Sequence, residues 1–215
     1  MRDRLKEATL YGIVDLGYVQ PSEVSAVTKS LVEGGADIIQ LRAKGHGEAL
    51  ITELASEILP ICKSGGVPFI VNDFPEIAAK VGSDGVHIGQ DDGSLAEVRK
   101  IVGEQMIVGR STHSEDQAHE ALAEGFDYIG FGPLFPTPTK KGRPGIGKDK
   151  IGGVQQSVGQ KIPVFCIGGI KRNNIDEVIQ AGAQRIVIVS DLLLSDSIEE
   201  ATQTVKQILL NSKTL

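Results

Sequence analysis

Hydroxyl and cationic side chains are concentrated in one segment, residues 130–147, which reads GFGPLFPTPTKKGRPGIG. Thr137 and Thr139 are two residues apart, so their hydroxyls lie on the same side of an extended backbone. Lys140 adds a mobile cation with three hydrogen-bond donors. A proline before each threonine stiffens the backbone, which lowers the entropy lost when a ligand binds. We interpret this segment as an active-site loop that binds a polyanion.

The net charge of the chain makes the basic residues of this segment informative. Acidic residues number 28 and lysines and arginines 22, so the formal net charge is -6. A general nucleic-acid-binding surface is therefore not expected. Lys140, Lys141 and Arg143 nevertheless lie close together in the sequence. Such a local excess of positive charge in an acidic chain favours a small anionic ligand.

A second polar pattern, QLRAK, follows an apolar run. Gln40, Arg42 and Lys44 alternate with apolar residues, so they share one face if the run is a strand. The planar fork of an arginine suits phosphate or carboxylate. A solvated strand end explains the pattern equally well when it is considered alone.

Two carboxylates follow the next apolar runs and are candidates for a magnesium site. Asn72 and Asp73 directly follow one run, and Asp92 follows the next. Two hard carboxylates near phosphate oxygens are what Mg²⁺ accepts. Each residue also has a local explanation, because Asn72–Asp73 suits an Asx turn and Asp92 precedes a helix start. The pair together favours the metal.

Ser111 and two histidines are further candidates. Ser111 and His113 follow an apolar run, and His113 precedes a predicted helix. We consider His113 either as an acid/base residue or as a polar residue at the helix start. His87 has apolar neighbours on both sides, which favours a buried histidine with satisfied hydrogen bonds.

The last two apolar runs are followed by residues suited to a second anion. Gly168 and Gly169 allow backbone N–H groups to approach a ligand closely, and Val189–Ser190 offers a hydroxyl and amides at a predicted helix start. Simple turn geometry is the alternative explanation for both.

The apolar runs predict eight strands separated by helices. Leu50, Leu54, Ile58 and Ile61 have helical spacing, and Ser94 with Glu97 and Ser114 with Gln117 form predicted capping boxes. The predicted strands are Leu10–Val14, Ile38–Leu41, Phe69–Val71, Gly85–Ile88, Ile107–Gly109, Tyr128–Phe131, Val164–Ile167 and Ile186–Val189.

An internal repeat indicates that these strands close into a barrel. The segments GGADIIQL, GSDGVHIG, GFDYIGFG and GAQRIVIV recur at intervals of roughly 45 to 55 residues. Each combines a helix end, a glycine and a strand, so the repeat is a βαβα quarter. Four quarters make a (β/α)8 TIM barrel, whose active site lies at the carboxyl ends of the strands. A doubly wound open sheet is the alternative.

Length and composition set the remaining expectations. With 215 residues and 40% hydrophobic content, the chain supports one core, and we expect one domain, residues 1–215. Cys62 and Cys166 are expected to be buried free thiols. The N-terminus lacks an apolar signal core and no apolar run reaches the ~18 residues of a membrane span, so a cytoplasmic protein without membrane partners is expected.

The chain resembles the family of thiamine phosphate synthases and thiazole tautomerases. The motifs QLRAK, VND, GVHIGQDD, GRSTH, FGPLFPTPTK, IGGI and VIVS occur in order between Leu10 and Ser190. The resemblance implies a barrel transferase that couples a pyrimidine diphosphate with a thiazole phosphate. The products are thiamine phosphate and pyrophosphate, and the substitution is dissociative and assisted by Mg²⁺.

The resemblance also implies roles for individual residues. Asp73 and Asp92 would hold Mg²⁺, and Ser111 would lie near the pyrimidine and the leaving pyrophosphate. Arg42, Lys44 and Lys140, with Ser111, would form the catalytic set. The pyrimidine diphosphate would be bound by Gln40, Arg42, Lys44, Asn72 and Lys140. The phosphate of the thiazole would be bound by Gly169, Val189 and Ser190. Thr137 and Thr139 would contact either that phosphate or the pyrophosphate.

One position departs from the family pattern, and two other functions compete. Phe74 follows Asn-Asp where the family commonly has arginine, so either one phosphate-facing charge is absent or Phe74 packs. A thiazole tautomerase would use a residue such as His113 and needs no acid pair. A non-catalytic phosphate-binding barrel is the other alternative. We expect small-molecule partners only, and leave a homodimer open.

Overall fold

The computed structural model describes residues 1–137 and 145–212. Eight parallel strands form a closed barrel in chain order. Each strand pairs with its neighbours in the chain, and the last strand pairs with the first. The predicted (β/α)8 barrel is confirmed, and the doubly wound sheet is wrong. The strands are β1 Leu10–Asp15, β2 Ile38–Arg42, β3 Phe69–Asn72, β4 Gly85–Ile88, β5 Ile107–Thr112, β6 Tyr128–Phe131, β7 Val164–Cys166 and β8 Ile186–Ile188.

Helices connect the strands and cover the outside of the barrel. A short 3₁₀ helix, Pro21–Glu23, precedes α2. The α-helices are α1 Arg2–Glu7, α2 Val24–Glu33, α3 Glu48–Gly65, α4 Pro75–Val81, α5 Leu95–Val102, α6 Glu115–Glu124, α7 Ile151–Ser157, α8 Ile175–Gln180, α9 Ser190–Leu193 and α10 Ile198–Ser212. No helix in the described part of the chain is long and apolar enough to cross a membrane.

The predicted and observed strands differ mainly at their carboxyl ends, where polar residues lie at the mouth of the barrel. Four strands extend beyond the apolar run, ending at Asp15, Arg42, Asn72 and Thr112. Ladder hydrogen bonds join backbone groups, so pairing continues where the side chains become polar. The ends of β7 and β8 each lie one residue earlier than predicted.

One of the two predicted capping boxes is fully formed, and the other is formed only in part. The capping box of Ser94 and Glu97 is confirmed. Ser114 caps α6 by accepting from the Gln117 N–H, but the Gln117 side chain accepts from the His113 N–H at 2.7 Å. The second capping box is therefore wrong in its reciprocal bond. In α3 the buried stripe is Ile51, Leu54, Ala55, Ile58 and Cys62, one position away from the predicted stripe at both ends.

A reciprocal clamp by an aspartate holds three of the four repeats together at the amino ends of the strands. Asp37 donates its N–H to the Leu10 carbonyl at 2.8 Å and accepts the Leu10 N–H on its carboxylate at 2.9 Å. Asp84 makes the same pair of bonds with Phe69, and Asp127 makes it with Val108. Each clamp fixes one even strand against the odd strand before it.

The fourth repeat has Gln184 at the position of the aspartate. Its side chain accepts from Arg185 at 3.5 Å, and among residues 1–137 and 145–212 no reciprocal pair of bonds joins Gln184 to β7. The β7–β8 ladder there has a single register pair, Cys166 with Ile186. The shortest strand pairing in the barrel is thus the one whose repeat has no aspartate at this position.

The barrel has an apolar outer layer and an interior that changes from apolar to polar towards the mouth. Alternate residues of each strand point inward. Ile38 lies near the amino end of β2, and Gln40 and Arg42 follow on the same face. Cys62 and Cys166 are buried and free, as predicted.

The Asp37 clamp predicts a pH-dependent contribution to stability. Burial opposes ionisation of Asp37, but hydrogen bonds from Lys206, Leu10 and Thr9 outweigh it and lower the pKa of the carboxyl. The stabilisation is thus present above the unfolded-state value of about 3.9 and is lost as the pH falls through the lower folded value. We expect Asp37→Asn to lower the free energy of unfolding by about 1.5–3 kcal/mol at neutral pH.

Urea unfolding at pH 7 and in increasingly acidic buffer tests this expectation. The difference between wild type and Asp37→Asn should shrink as the pH falls. Asp3→Asn, at an exposed residue of α1, is the control and should show no such trend. A difference that stays constant with pH would contradict the clamp.

Candidate active site

The carboxyl ends of the strands surround one cavity, and most of the predicted site residues line it. Thr139 and Lys140 lie outside the described residues, as do Lys141 and Arg143. Asp92 is described but does not line the cavity. The predicted residues that line it are Gln40, Arg42, Lys44, Asn72, Asp73, Ser111, Thr137, Gly169, Val189 and Ser190.

A buried ion pair positions Arg42. Its guanidinium donates to Asp15 Oδ2 at 2.8 Å, and the side chain of Asp15 is 2% exposed. The other carboxylate oxygen of Asp15 accepts the Gly17 N–H at 2.9 Å. Asp15 also lines the cavity and was not predicted. Its position at the carboxyl end of β1 is the signal that could have identified it.

Asp73 and Asp92 lie close together, beside Lys44. Lys44 Nζ is 3.1 Å from Asp73 Oδ2, and the Asp92 carboxyl is within hydrogen-bonding reach of the Asp73 carboxyl. Burial raises the pKa of Asp73 and the charge of Asp92 adds to the rise, while Lys44 opposes it. Asp73 also has a positive φ of 65°, a conformation that costs energy in a residue other than glycine. An added cation would stabilise the ionised form of Asp73, which burial and the neighbouring Asp92 charge both disfavour.

The acid pair, of which Asp73 lines the cavity, has the chemistry that suits a metal ion. Among the described residues, no group of three or more histidine, cysteine, aspartate or glutamate side chains converges. Mg²⁺ is usually bound through one or two carboxylates together with waters and substrate phosphates. The donor set of Asp73 and Asp92 therefore fits Mg²⁺ if a phosphorylated ligand supplies further oxygens.

Arg110, which was not predicted, fixes the loop that carries Asp92. It donates to the carbonyl of Gly93 at 2.7 Å and to that of Gln90 at 3.1 Å. Its guanidinium also lies 5.3 Å from the centre of the Phe126 ring. Two bonds from one planar group hold the loop at both ends of its turn. Sequence patterns gave no signal for this role because the loop and the arginine are far apart in the chain.

The described ends of the loop after β6 are attached to the loop after β7. The N–H groups of Leu134 and Phe135 donate to the carbonyls of Ile167 and Gly168 at 2.9 and 3.0 Å. Ile146 returns to the Pro133 carbonyl at 2.8 Å. Thr137, which lines the cavity, is thereby placed next to the second predicted anion site.

The second predicted anion site lies in the loops after β7 and β8. Gly168 and Gly169 have φ values of 99° and 67°, and a Cβ at Gly169 would lie 2.7 Å from the Phe135 side chain. Arg172 joins the two loops, since its backbone N–H and its Nε both donate to Asp191 Oδ2 at 3.1 and 2.8 Å. Ser190 is the first residue of α9, as predicted for a helix start.

Three further residues considered in the sequence have informative contacts. Phe74 packs against the hydrophobic core, which matches the packing alternative. His113 lines the cavity, and its Nδ1 is 2.5 Å from the Gly132 carbonyl. His87 is buried with both ring nitrogens bonded, as predicted, to Tyr128 and Ser111. It also lines the cavity, which was not predicted.

Comparison with known proteins gives a consistent result. The family model described as thiamine monophosphate synthase matches residues 10–192. The chain is 41% identical over 180 residues to a thiamine-phosphate synthase of Thermus thermophilus, covering 84% of this chain and 86% of that protein. It is 40% identical over 200 residues to one of Shouchella clausii, with 93% and 95% covered. A thiamine phosphate pyrophosphorylase structure from Pyrococcus furiosus superposes with a TM-score of 0.86 at 30% identity, covering 98% of both chains.

The pair of Asp15 and Arg42 predicts a large effect of Asp15→Ala on stability. Removing one partner of a buried ion pair leaves a poorly solvated charge, and we expect a loss of about 3 kcal/mol in the free energy of unfolding. Asp15→Asn should cost less because its amide oxygen still accepts the Gly17 N–H. Glu33→Ala, which breaks an exposed pair with Lys29, is the control and should change stability little. Urea unfolding measures all three, and an equal effect of Asp15→Ala and Glu33→Ala would contradict the role of the pair.

Proposed function

We infer the reaction from one premise: this chain belongs to the thiamine monophosphate synthase family. Its activity is that of a thiamine-phosphate synthase, a transferase. We propose that the substrates are 4-amino-5-hydroxymethyl-2-methylpyrimidine diphosphate and the thiazole phosphate. The products are then thiamine phosphate and pyrophosphate.

The observation that carries this proposal is the division of the cavity into two anion sites. One side presents Arg42, Lys44 and Asp73, and the carboxyl of Asp92 is adjacent to that of Asp73. The other side presents the amides at Gly169 and the hydroxyl of Ser190. A reaction between a diphosphate and a monophosphate needs two such sites, whereas an isomerase acting on one phosphate needs one. This arrangement supports the synthase over the tautomerase.

The chemistry of the substrates accounts for the cations on the diphosphate side. The bond between the pyrimidine methylene carbon and the diphosphate oxygen breaks, and its electron pair leaves with the pyrophosphate. The methylene cation is stabilised by resonance with the aminopyrimidine ring. Arg42 and Lys44 would stabilise charge on the departing pyrophosphate, because preorganised charges lower the barrier without reorganising during the reaction. We propose the same role for Lys140.

The acceptor then reacts without any covalent bond to the protein. The lone pair of the thiazole nitrogen forms the new C–N bond at the methylene carbon. Gly169, Val189 and Ser190 would orient the thiazole by binding its phosphate, with Thr137 and Thr139 between the two sites. Holding both reactants in one cavity replaces a bimolecular encounter by a positioned one. It also keeps water away from the cation.

Asp73 and Asp92 would hold Mg²⁺ together with oxygens of the diphosphate. The ion would neutralise the leaving group when bound. Gln40 and Asn72 would bind the pyrimidine diphosphate, and Ser111 would lie near its leaving end. We further propose that residues 1–215 form one cytoplasmic domain, and that a homodimer is its assembly.

Purified protein incubated with both phosphorylated substrates and Mg²⁺ should produce thiamine phosphate and pyrophosphate in equal amounts. Chromatography quantifies the first and a coupled colorimetric assay the second. Omitting either substrate is the control and should abolish thiamine phosphate. Absence of thiamine phosphate from protein that isomerises the thiazole alone would replace the synthase by the tautomerase.

The metal assignment predicts different effects at two adjacent aspartates. Asp92→Ala should lower kcat/KM by at least about 100-fold at saturating Mg²⁺, because charge stabilisation by a metal ion is worth several kcal/mol. Asp91→Ala, at the neighbouring exposed residue, is the matched control and should retain activity. Both variants should unfold cooperatively in urea. Equal activities of the two variants would remove Asp92 from the metal site.

A further inference from the structure

A continuous chain of hydrogen bonds crosses the interior of the barrel from Gln40 to Ser111. Gln40 Nε2 donates to the Tyr11 hydroxyl at 2.8 Å, and the Tyr11 and Tyr128 hydroxyls are 2.9 Å apart. The Tyr128 hydroxyl is 3.0 Å from His87 Nδ1, and His87 Nε2 is 2.9 Å from Ser111 Oγ. The chain thus links five strands and ends at two residues assigned to the ligand.

The middle of this chain is buried and tightly packed. Tyr11 and Tyr128 are 2% and 1% exposed. The Phe165 ring makes edge contacts with both, at centroid distances of 5.3 and 5.7 Å. A Cβ at Gly109 would collide with the Tyr128 ring, so this glycine provides the space for it. The hydroxyls of Tyr11 and Tyr128 therefore have few alternative orientations and must form hydrogen bonds within this chain.

The donor at one end determines the direction of the whole chain. The Tyr11 oxygen accepts from Gln40, so the Tyr11 hydrogen is satisfied by donating to Tyr128. Tyr128 then donates to His87 Nδ1. In the reverse direction, the Tyr11 oxygen would accept twice and its buried hydrogen would have no acceptor among its described partners, which is costly. Burial also raises the pKa of both tyrosines, so both hydroxyls keep their hydrogens.

We propose that this chain is a one-way relay that holds His87 with its proton on Nε2 and thereby makes Ser111 a hydrogen-bond donor to the ligand. His87 Nδ1 accepts from Tyr128, so Nε2 carries the hydrogen and donates to Ser111 Oγ. The Ser111 hydrogen is then directed to an acceptor atom of whatever occupies the cavity. Tyr11, Tyr128 and His87 are positioning residues, since they act through Ser111.

The identity of the acceptor rests on the proposed function, whereas the direction of the chain does not. For the proposed substrates, the acceptor is a ring nitrogen of the pyrimidine or an oxygen of the diphosphate. A donor whose hydrogen is fixed in advance needs no reorganisation when the ligand binds. A serine without the relay would present either its hydrogen or its lone pairs.

Changing Gln40 to glutamate should reverse the relay from its far end. A carboxylate only accepts, so Tyr11 would donate to Glu at position 40, Tyr128 to Tyr11, and His87 Nδ1 to Tyr128. The proton of His87 would then move to Nδ1, and Ser111 would donate to Nε2. The imidazole ¹⁵N shifts of the ligand-free protein, labelled at its 4 histidines, distinguish the two tautomers. His87→Asn identifies the His87 signals.

The expected result is Nε2–H in wild type and Nδ1–H in Gln40→Glu at neutral pH. The matched control is Tyr11→Phe combined with Gln40→Glu, which keeps the new charge but cuts the relay. It should keep Nε2–H, because Tyr128 then has His87 Nδ1 as its acceptor. A switch in this double variant would show that charge alone acts through space, and would overturn the proposal.

Wild type provides a test that needs neither the Gln40 nor the Tyr11 variant to fold. A proton on Nδ1 of His87 in the unmodified protein overturns the relay, and so does a Gln40→Glu variant that folds but keeps Nε2–H. Because no substrate is present, these outcomes are independent of the synthase assay. An inactive protein with the expected tautomers would refute the function and leave the relay intact.

Discussion

The register between neighbouring strands is the constraint on which the rest of this structure depends, and carboxylates help to set it. In three repeats an aspartate exchanges two bonds with the first or second residue of the preceding strand. A slip by one residue would break both bonds and would turn every inward side chain outward. The chemistry at the mouth is therefore positioned in part by contacts at the opposite end of the barrel.

Charged residues at the mouth of the barrel are held in ion pairs. Arg42 is held by Asp15, and Lys44 by Asp73, so the cations that face the cavity are already oriented. The carboxyl of Asp73 has a raised pKa because burial and Asp92 both disfavour its charge. The mouth thus contains preorganised cations for a phosphorylated ligand and an acid pair that a further cation would stabilise. Both features agree with a reaction in which a diphosphate leaves.

The polar side chains inside the barrel are stabilised by hydrogen bonds to one another rather than by ion pairs. Gln40, Tyr11, Tyr128 and His87 are all nearly or fully buried, and each satisfies its neighbour. A hydrogen-bond chain of this kind is stable only if every donor has an acceptor, so it has a direction. The hydrogen bonds that satisfy these buried groups therefore also orient the Ser111 hydroxyl.

The sequence by itself determined the number and order of the strands, the closed barrel and ten of the residues that line the cavity. It could do so because apolar runs, glycine-anchored repeats and polar residues after strands are local patterns. Only the tertiary structure decided which polar residues pair. Asp15 with Arg42, Arg110 with the Gln90–Gly93 turn, and His87 with Tyr128 are contacts between separate strands or loops. Their partners depend on the register and on which side chains point inward, and neither is encoded in any one stretch of the chain.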